Sequence, residues 1–92
     1  MSYSIYLIQS TYHQTPAHLD QLAQLAQIND VIILMADAVL WANDPRLQTF
    51  KQVYVLNSEA LLLSVHPANV QVIDYPQLAD LILQTTTCIR LH

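Results

Sequence analysis

The run Asn29-Asp30-Val31-Ile32-Ile33-Leu34-Met35-Ala36-Asp37-Ala38-Val39-Leu40-Trp41-Ala42 most constrains what this chain can fold into. A polar corner opens it, five apolar residues follow without alternation, and Asp37 leads into a second apolar run. An unbroken stretch rich in β-branched residues suits a strand covered on both faces, as in a parallel sheet flanked by helices. Asp37 then falls where the strand ends and the next helix begins. The pattern recurs at Val53-Tyr54-Val55-Leu56 before Asn57-Ser58-Glu59, and at Val70-Gln71-Val72-Ile73 before Asp74-Tyr75-Pro76. Three strands, each leaving into a helix-opening polar residue, predict the architecture and leave the chemistry open.

With 92 residues the chain reads as one domain, residues 1–92. A domain of this size buries only about 60–65% of the surface its unfolded chain exposes. Yet 53% of the residues are apolar and 11% are charged, against a usual charged share of about 25%. The surplus apolar surface must be exposed somewhere, which marks the chain as a subunit. The formal net charge is −4, and Arg46, Lys51 and Arg90 are the only permanent cations. Three scattered cations cannot neutralise a phosphate backbone, so direct nucleic-acid binding is not expected. No apolar run approaches the ~20 residues of a membrane span. The start of the chain shows no basic region followed by an apolar stretch and a cleavage site. Cys88 is the single cysteine, which excludes an internal disulfide and fits a reducing cytoplasm. There is no glycine. Phosphate-cradling loops need glycine for positive φ and close backbone approach, so neither a dinucleotide fingerprint nor a P-loop can be written.

Along the chain, Tyr3 to Ile8 reads as the first strand and Gln9 to Gln14 as a polar loop. Thr15-Pro16 opens a helix, with Thr15 as cap and Pro16 at the first helical position. Its buried face is Leu19, Leu22, Ala23, Leu25 and Ala26, spaced by threes and fours. Asn29-Asp30 turns into the strand 31–35. A short helix runs to Trp41, Asn43-Asp44-Pro45 breaks it, and residues 47–51 add a helical turn. A further short helix spans 59–64 behind Asn57 or Ser58, and His66-Pro67 stops it. Asp74-Tyr75-Pro76 opens a helix whose face is Leu78, Leu81 and Ile82. Residues 88–91 form a final edge strand. Alternating strands and helices with short loops predict an α/β three-layer sandwich, its four- to five-stranded sheet mainly parallel, of the flavodoxin-like kind.

The order of these segments resembles the DsrH/TusB family of small sulfur-relay subunits, in the DsrEFH-like superfamily. Residues 29–39 resemble its G-D-a-l-L-L-l-q-D-G-V segment, with Ala38 in place of the glycine. Residues 53–56 followed by Glu59 are similar to V-y-a-L-x-x-D, and residues 70–81 to v-x-v-i-d-Y-x-d-F-v-x-L. The chain ends in Arg90-Leu91-His92, without the family's tryptophan there. The resemblance implies a heterohexamer that hands persulfide sulfur between proteins, serving tRNA wobble-uridine 2-thiolation. It implies DsrE/TusD-like and DsrF/TusC-like partner subunits. It also implies that the sulfur-carrying cysteine belongs to a sister subunit, leaving this chain a non-catalytic assembly partner.

Read from the residues alone, the candidate chemistry is thin. Cys88 follows a helix C-terminus, where the dipole disfavours an anion, so a thiolate carrier is not expected there. If it were reactive, the chain would be a sulfurtransferase or redox protein. A stand-alone oligomeric α/β domain is the remaining alternative. Asp37, Glu59 and Asp74 follow strand ends, where open α/β sheets place their sites, but capping accounts for Asp37 and Asp74. An acidic phosphoacceptor site would need an acidic pair after the first strand, where Gln9-Ser10 stand, and a lysine after a late strand, where none follows the fourth. Ser10, His13 and Asp37 can be drawn as a triad without any spacing that supports it. His13, His18, His66 and His92 show no metal-ligand spacing, and no cofactor is called for. Trp41, Leu40, Tyr12 and Tyr75 are the expected interface anchors, with Phe50 and Tyr54 weighed beside them, since aromatic residues are enriched at interfaces.

Overall fold

The computed structural model describes residues 4–63, 69–85 and 87–91. Five strands, β1 (Ser4–Gln9), β2 (Val31–Met35), β3 (Gln52–Leu56), β4 (Val70–Ile73) and β5 (Thr87–Leu91), form one sheet in the order β4-β3-β2-β1-β5. Every neighbouring pair is parallel. This is the expected flavodoxin-like α/β arrangement, with 31–35 interior and the last strand at an edge. Two helices, α1 (Thr15–Leu25) and α2 (Tyr75–Leu83), and three short 3-10 segments, Ala36–Trp41, Pro45–Leu47 and Asn57–Leu62, make the connections. Tyr3, Ser64, His66, Pro67 and His92, which figured in the sequence reading, lie outside the described residues.

Alternation along the strands divides the core in two. Tyr6, Ile8, Ile32, Leu34, Val53 and Val55 face Leu19 and Leu22 of α1, together with Val39, Leu47 and Phe50. Ile5, Leu7, Val31, Ile33, Tyr54 and Leu56 face the other way, toward Leu78 of α2. Right-handed crossovers require this division. The chain steps from β1 to β2 under α1, then returns from β4 to the far side of β1 under α2. Each fully buried large side chain contributes about 1.5–3 kcal/mol relative to exposure.

Asp30 secures the entry to β2. It is buried, and its carboxylate accepts the Ser4 N–H at 3.0 Å and the Gln27 N–H at 2.9 Å. One side chain thereby ties the start of β1 to the turn that leaves α1. Burial pushes the Tyr6 phenol above its usual range, and the charge of Asp30 adds to the effect.

Several local expectations are corrected. Thr15 does not cap α1. Gln14 holds that position without a side-chain bond, and Thr15 is the first helical residue with its hydroxyl donating to the Thr11 carbonyl at 2.7 Å. The α1 face is narrower than expected: Ala23 and Leu25 are exposed. A helix advances about 100° per residue, so a series spaced by threes rotates away by about 60° a step. Leu25 is carried off the face, while Ala26, four residues beyond Leu22, still packs against the core. Ile82 of α2 is also exposed, where it was expected on the buried face. Asp37, Asn57 and Ser58 do not cap. The segments after β2 and β3 begin directly at the strand ends, with Met35 and Leu56 as cap residues and no side-chain cap bond. Asp74 does cap. It accepts the Gln77 N–H while the Gln77 side chain accepts the Asp74 N–H, each at 2.9 Å, a complete capping box.

Candidate functional site

Because all strands run parallel, the segments that follow β1, β2, β3 and β4 collect along one edge of the sheet. That rim carries most of the residues singled out in the sequence. After β1, Ser10 and Thr15 are buried, with their hydroxyl oxygens 3.0 Å apart. Thr15 gives its only hydroxyl proton to the Thr11 carbonyl, so Ser10 must be the donor to Thr15. The Ser10 proton is therefore committed to a structural chain. Ser10 and Asp37 line one shallow pocket with Gln9, Thr11, Gln14 and Ala36. His13 is exposed and meets the Tyr12 ring edge-on at 5.8 Å. Among the described residues no hydrogen bond joins Ser10, His13 and Asp37 as a triad requires.

Tyr12 and Trp41 stand together on the rim. Their ring centroids are 5.0 Å apart, and the indole N–H donates to the Tyr12 carbonyl at 3.1 Å. Trp41 is half-buried and packs against the α1-side core, whereas Tyr12 and Leu40 are exposed. Tyr75, at the start of α2, is exposed as well. Phe50 and Tyr54 are buried in the two core layers and are not available to a partner.

Ala36 has a φ of 55°, the left-handed region. Its N–H donates to the carboxylate of Glu59 in the segment after β3. A β-carbon in this conformation costs roughly 1–2 kcal/mol, and the Glu59 clasp offsets part of that while joining two neighbouring rim segments. Sequence reasoning missed this role for Glu59. A cross-strand contact between two βα segments has no local signal.

Arg46 was equally unassigned. Its guanidinium grips Asp44 through Nε and Nη2, both at 2.8 Å, and Nη1 reaches the Pro16 carbonyl at 3.1 Å and Asp20 at 2.6 Å. The hydrogen-bonded guanidinium holds the Asp44 carboxyl below the usual carboxylate range, and the acids raise Arg46 in turn. The network fastens the Pro45–Leu47 turn to α1. One of the chain's three cations is thus structural.

Cys88 is exposed in β5, in register with Ile5 of β1. Arg90, in register with Leu7, shares its side of the sheet. The thiol lies toward the start of β5, while the rim lies at the strand ends. Among the described residues no group of three His, Cys, Asp or Glu side chains could hold a metal ion. Nor is any helix there long and apolar enough to cross a membrane.

The profile of the family described as "DsrH like protein" matches residues 9–88. This chain belongs to the DsrH-like family. That membership places it among the sulfur-relay subunits. Curated proteins include no match to it. Among solved structures, the ychN protein from E. coli has the same fold, with a TM-score of 0.68 over 99% of this chain and 100% of that one. At 13% identity that likeness speaks to the fold alone. The family match spans β1's end to β5's start, so it takes in the rim and Cys88 together.

Proposed function

We propose that this DsrH-like chain is a cytoplasmic, non-catalytic subunit of a persulfide-relay complex, acting in 2-thiolation of the tRNA wobble uridine. Its partners in this reading are DsrE/TusD-like and DsrF/TusC-like subunits, and the carrier cysteine belongs to one of them. The chain acts as a single domain, contributing surface instead of chemistry. The observation that carries the reading is the place of Cys88 within a family match that covers most of the chain. A carrier thiolate is favoured by a helix N-terminus or a cluster of cations. Cys88 instead follows the C-terminal end of α2, on an edge strand away from the rim where open sheets gather their sites.

The test is sulfur transfer in the reconstituted complex. Cys88→Ser is expected to leave transfer nearly intact, while Trp41→Ala weakens assembly on gel filtration. Loss of transfer in Cys88→Ser with the complex still assembled would transfer the role to Cys88 and make the chain a sulfurtransferase in its own right.

A further inference from the structure

We infer that the strand-end rim is the docking surface for a different protein, one that presents basic residues around an apolar contact, and that it excludes a second copy of this chain. The inference rests on the relay reading above and specifies which surface serves it. The row follows the strand order. Tyr75 comes after β4, Leu61 after β3, Leu40 after β2 and Tyr12 after β1, with exposures of 59%, 97%, 43% and 46%. With strands about 4.8 Å apart, four of them set a row on the order of 15 Å long. The Glu59–Ala36 bond joins the segments after β3 and β2, and the Trp41 indole N–H, donating to the Tyr12 carbonyl, joins the segments after β2 and β1. Tyr12, Leu40 and Leu61 therefore stand on a braced surface, which lowers the ordering cost of binding.

Charge decides the occupant. The acids that accompany this row, Asp37, Glu59 and Asp74, follow the ends of β2, β3 and β4 and make that stretch of the rim negative. Arg46 is spent on Asp44 and Asp20. Lys51 precedes β3 and so lies at the opposite edge of the sheet, while Arg90, one residue from the end of β5, lies beyond the Tyr12 end of the row, two strands from the nearest of these acids. A copy of the same rim would bring like charges together, which opposes association across an interface. A nucleic acid or an anionic membrane is repelled for the same reason. A protein face with Lys or Arg around an aliphatic or aromatic centre satisfies both the charge and the apolar row.

The experiment uses the full chain and the two homologous relay subunits of the same genome as probes, with binding followed by calorimetry. Leu61→Asp and Asp37→Lys are each expected to weaken binding about tenfold or more, and wild-type affinity is expected to fall as salt rises. Leu83→Asp, an exposed position at the end of α2, is the control and is expected to bind as wild type does. Rim variants that bind normally while Leu83→Asp fails would place the surface elsewhere and leave the relay reading standing. Self-association of the chain that Leu61→Asp abolishes would make the rim homotypic and overturn the inference. Failure of the wild-type chain to bind either subunit would overturn the relay reading and this inference together.

Discussion

Strands β2 and β5 flank the same strand, β1, both parallel to it and both five residues long. They share nothing else. Val31 to Leu34 are buried on both faces, under α1 on one side and α2 on the other. Thr87 to Arg90 are exposed on both faces, and only Leu91 packs against the core. Backbone pairing is available to each, so pairing cannot explain the contrast. What differs is the layer above and below. β2 lies where the outward crossover and the return crossover overlap, and β5 lies beyond both. Stability in this fold is therefore concentrated in the middle of the sheet. The edge next to β1 is held mainly by its ladder, and it carries the one thiol.

The sharpest way to break this contrast is to truncate matched isoleucines. Ile33→Ala should cost about 2–5 kcal/mol, as expected for a fully buried residue that leaves a cavity. Ile89→Ala, at an exposed position, should cost less than about 1 kcal/mol. Urea denaturation of the two variants measures both, and equal losses would refute the assignment of stability to the centre.

A smaller effect tests how β5 is delivered to its place. Asp74→Ala removes the capping box of α2 and should cost about 0.5–2 kcal/mol. Since α2 leads into β5, amide-exchange protection should fall in α2 and β5 and hold in β2. Uniform loss across the sheet would mean that the edge is not a separate weak region.

Next comes the exit from β2. Ala36→Gly should stabilise the protein by up to about 1 kcal/mol, because glycine accepts the positive φ without the β-carbon clash. The gain is smaller than the clash itself, since glycine also adds freedom to the unfolded chain. A lower melting temperature in this variant would show that the Ala36 methyl makes a contact worth more than the relieved strain.

The smallest effect concerns the Pro45–Leu47 turn, which packs on the α1 side of the sheet and is fastened to α1 by Arg46. The Asp44 carboxyl is held below its unfolded value by Arg46. Its contribution is thus fully present above the unfolded carboxylate pKa of about 4, and it is lost as pH falls through the lower folded value. Its size is on the order of 1 kcal/mol or less for so partly solvated a pair. Asp44→Asn should therefore be destabilised relative to wild type at neutral pH, with the gap closing in acid. A gap that widens in acid would contradict the bond assignment.

Much of the fold was legible because its signals are local or periodic. The unbroken run 31–35 declares a strand buried on both faces, and Asp74 before Tyr75-Pro76 declares a helix start. The total absence of glycine excludes phosphate loops without any structure. The order of the three strand-to-helix units was enough to bring the DsrH/TusB resemblance into view. What the sequence could not carry was every relation between segments distant in the chain. Leu25 keeps helical spacing with Leu22 but turns off the sheet, because the buried stripe of α1 is narrower than the pattern of apolar residues. Phe50 and Tyr54 read as possible anchors and are core. Trp41 reads as an interface anchor, and its half-buried packing and its bond to the Tyr12 carbonyl had no signal in the sequence. Glu59 reads as an acid after a strand end and clasps the exit of β2, and Arg46 reads only as one of three scattered cations and fastens a turn to α1. Each of these depends on which crossover lies over which strand. Hydrophobic pattern and capping chemistry act within a few residues and so determined the elements. The partners of charged and aromatic side chains were decided only when the parallel sheet brought the ends of four strands to one rim.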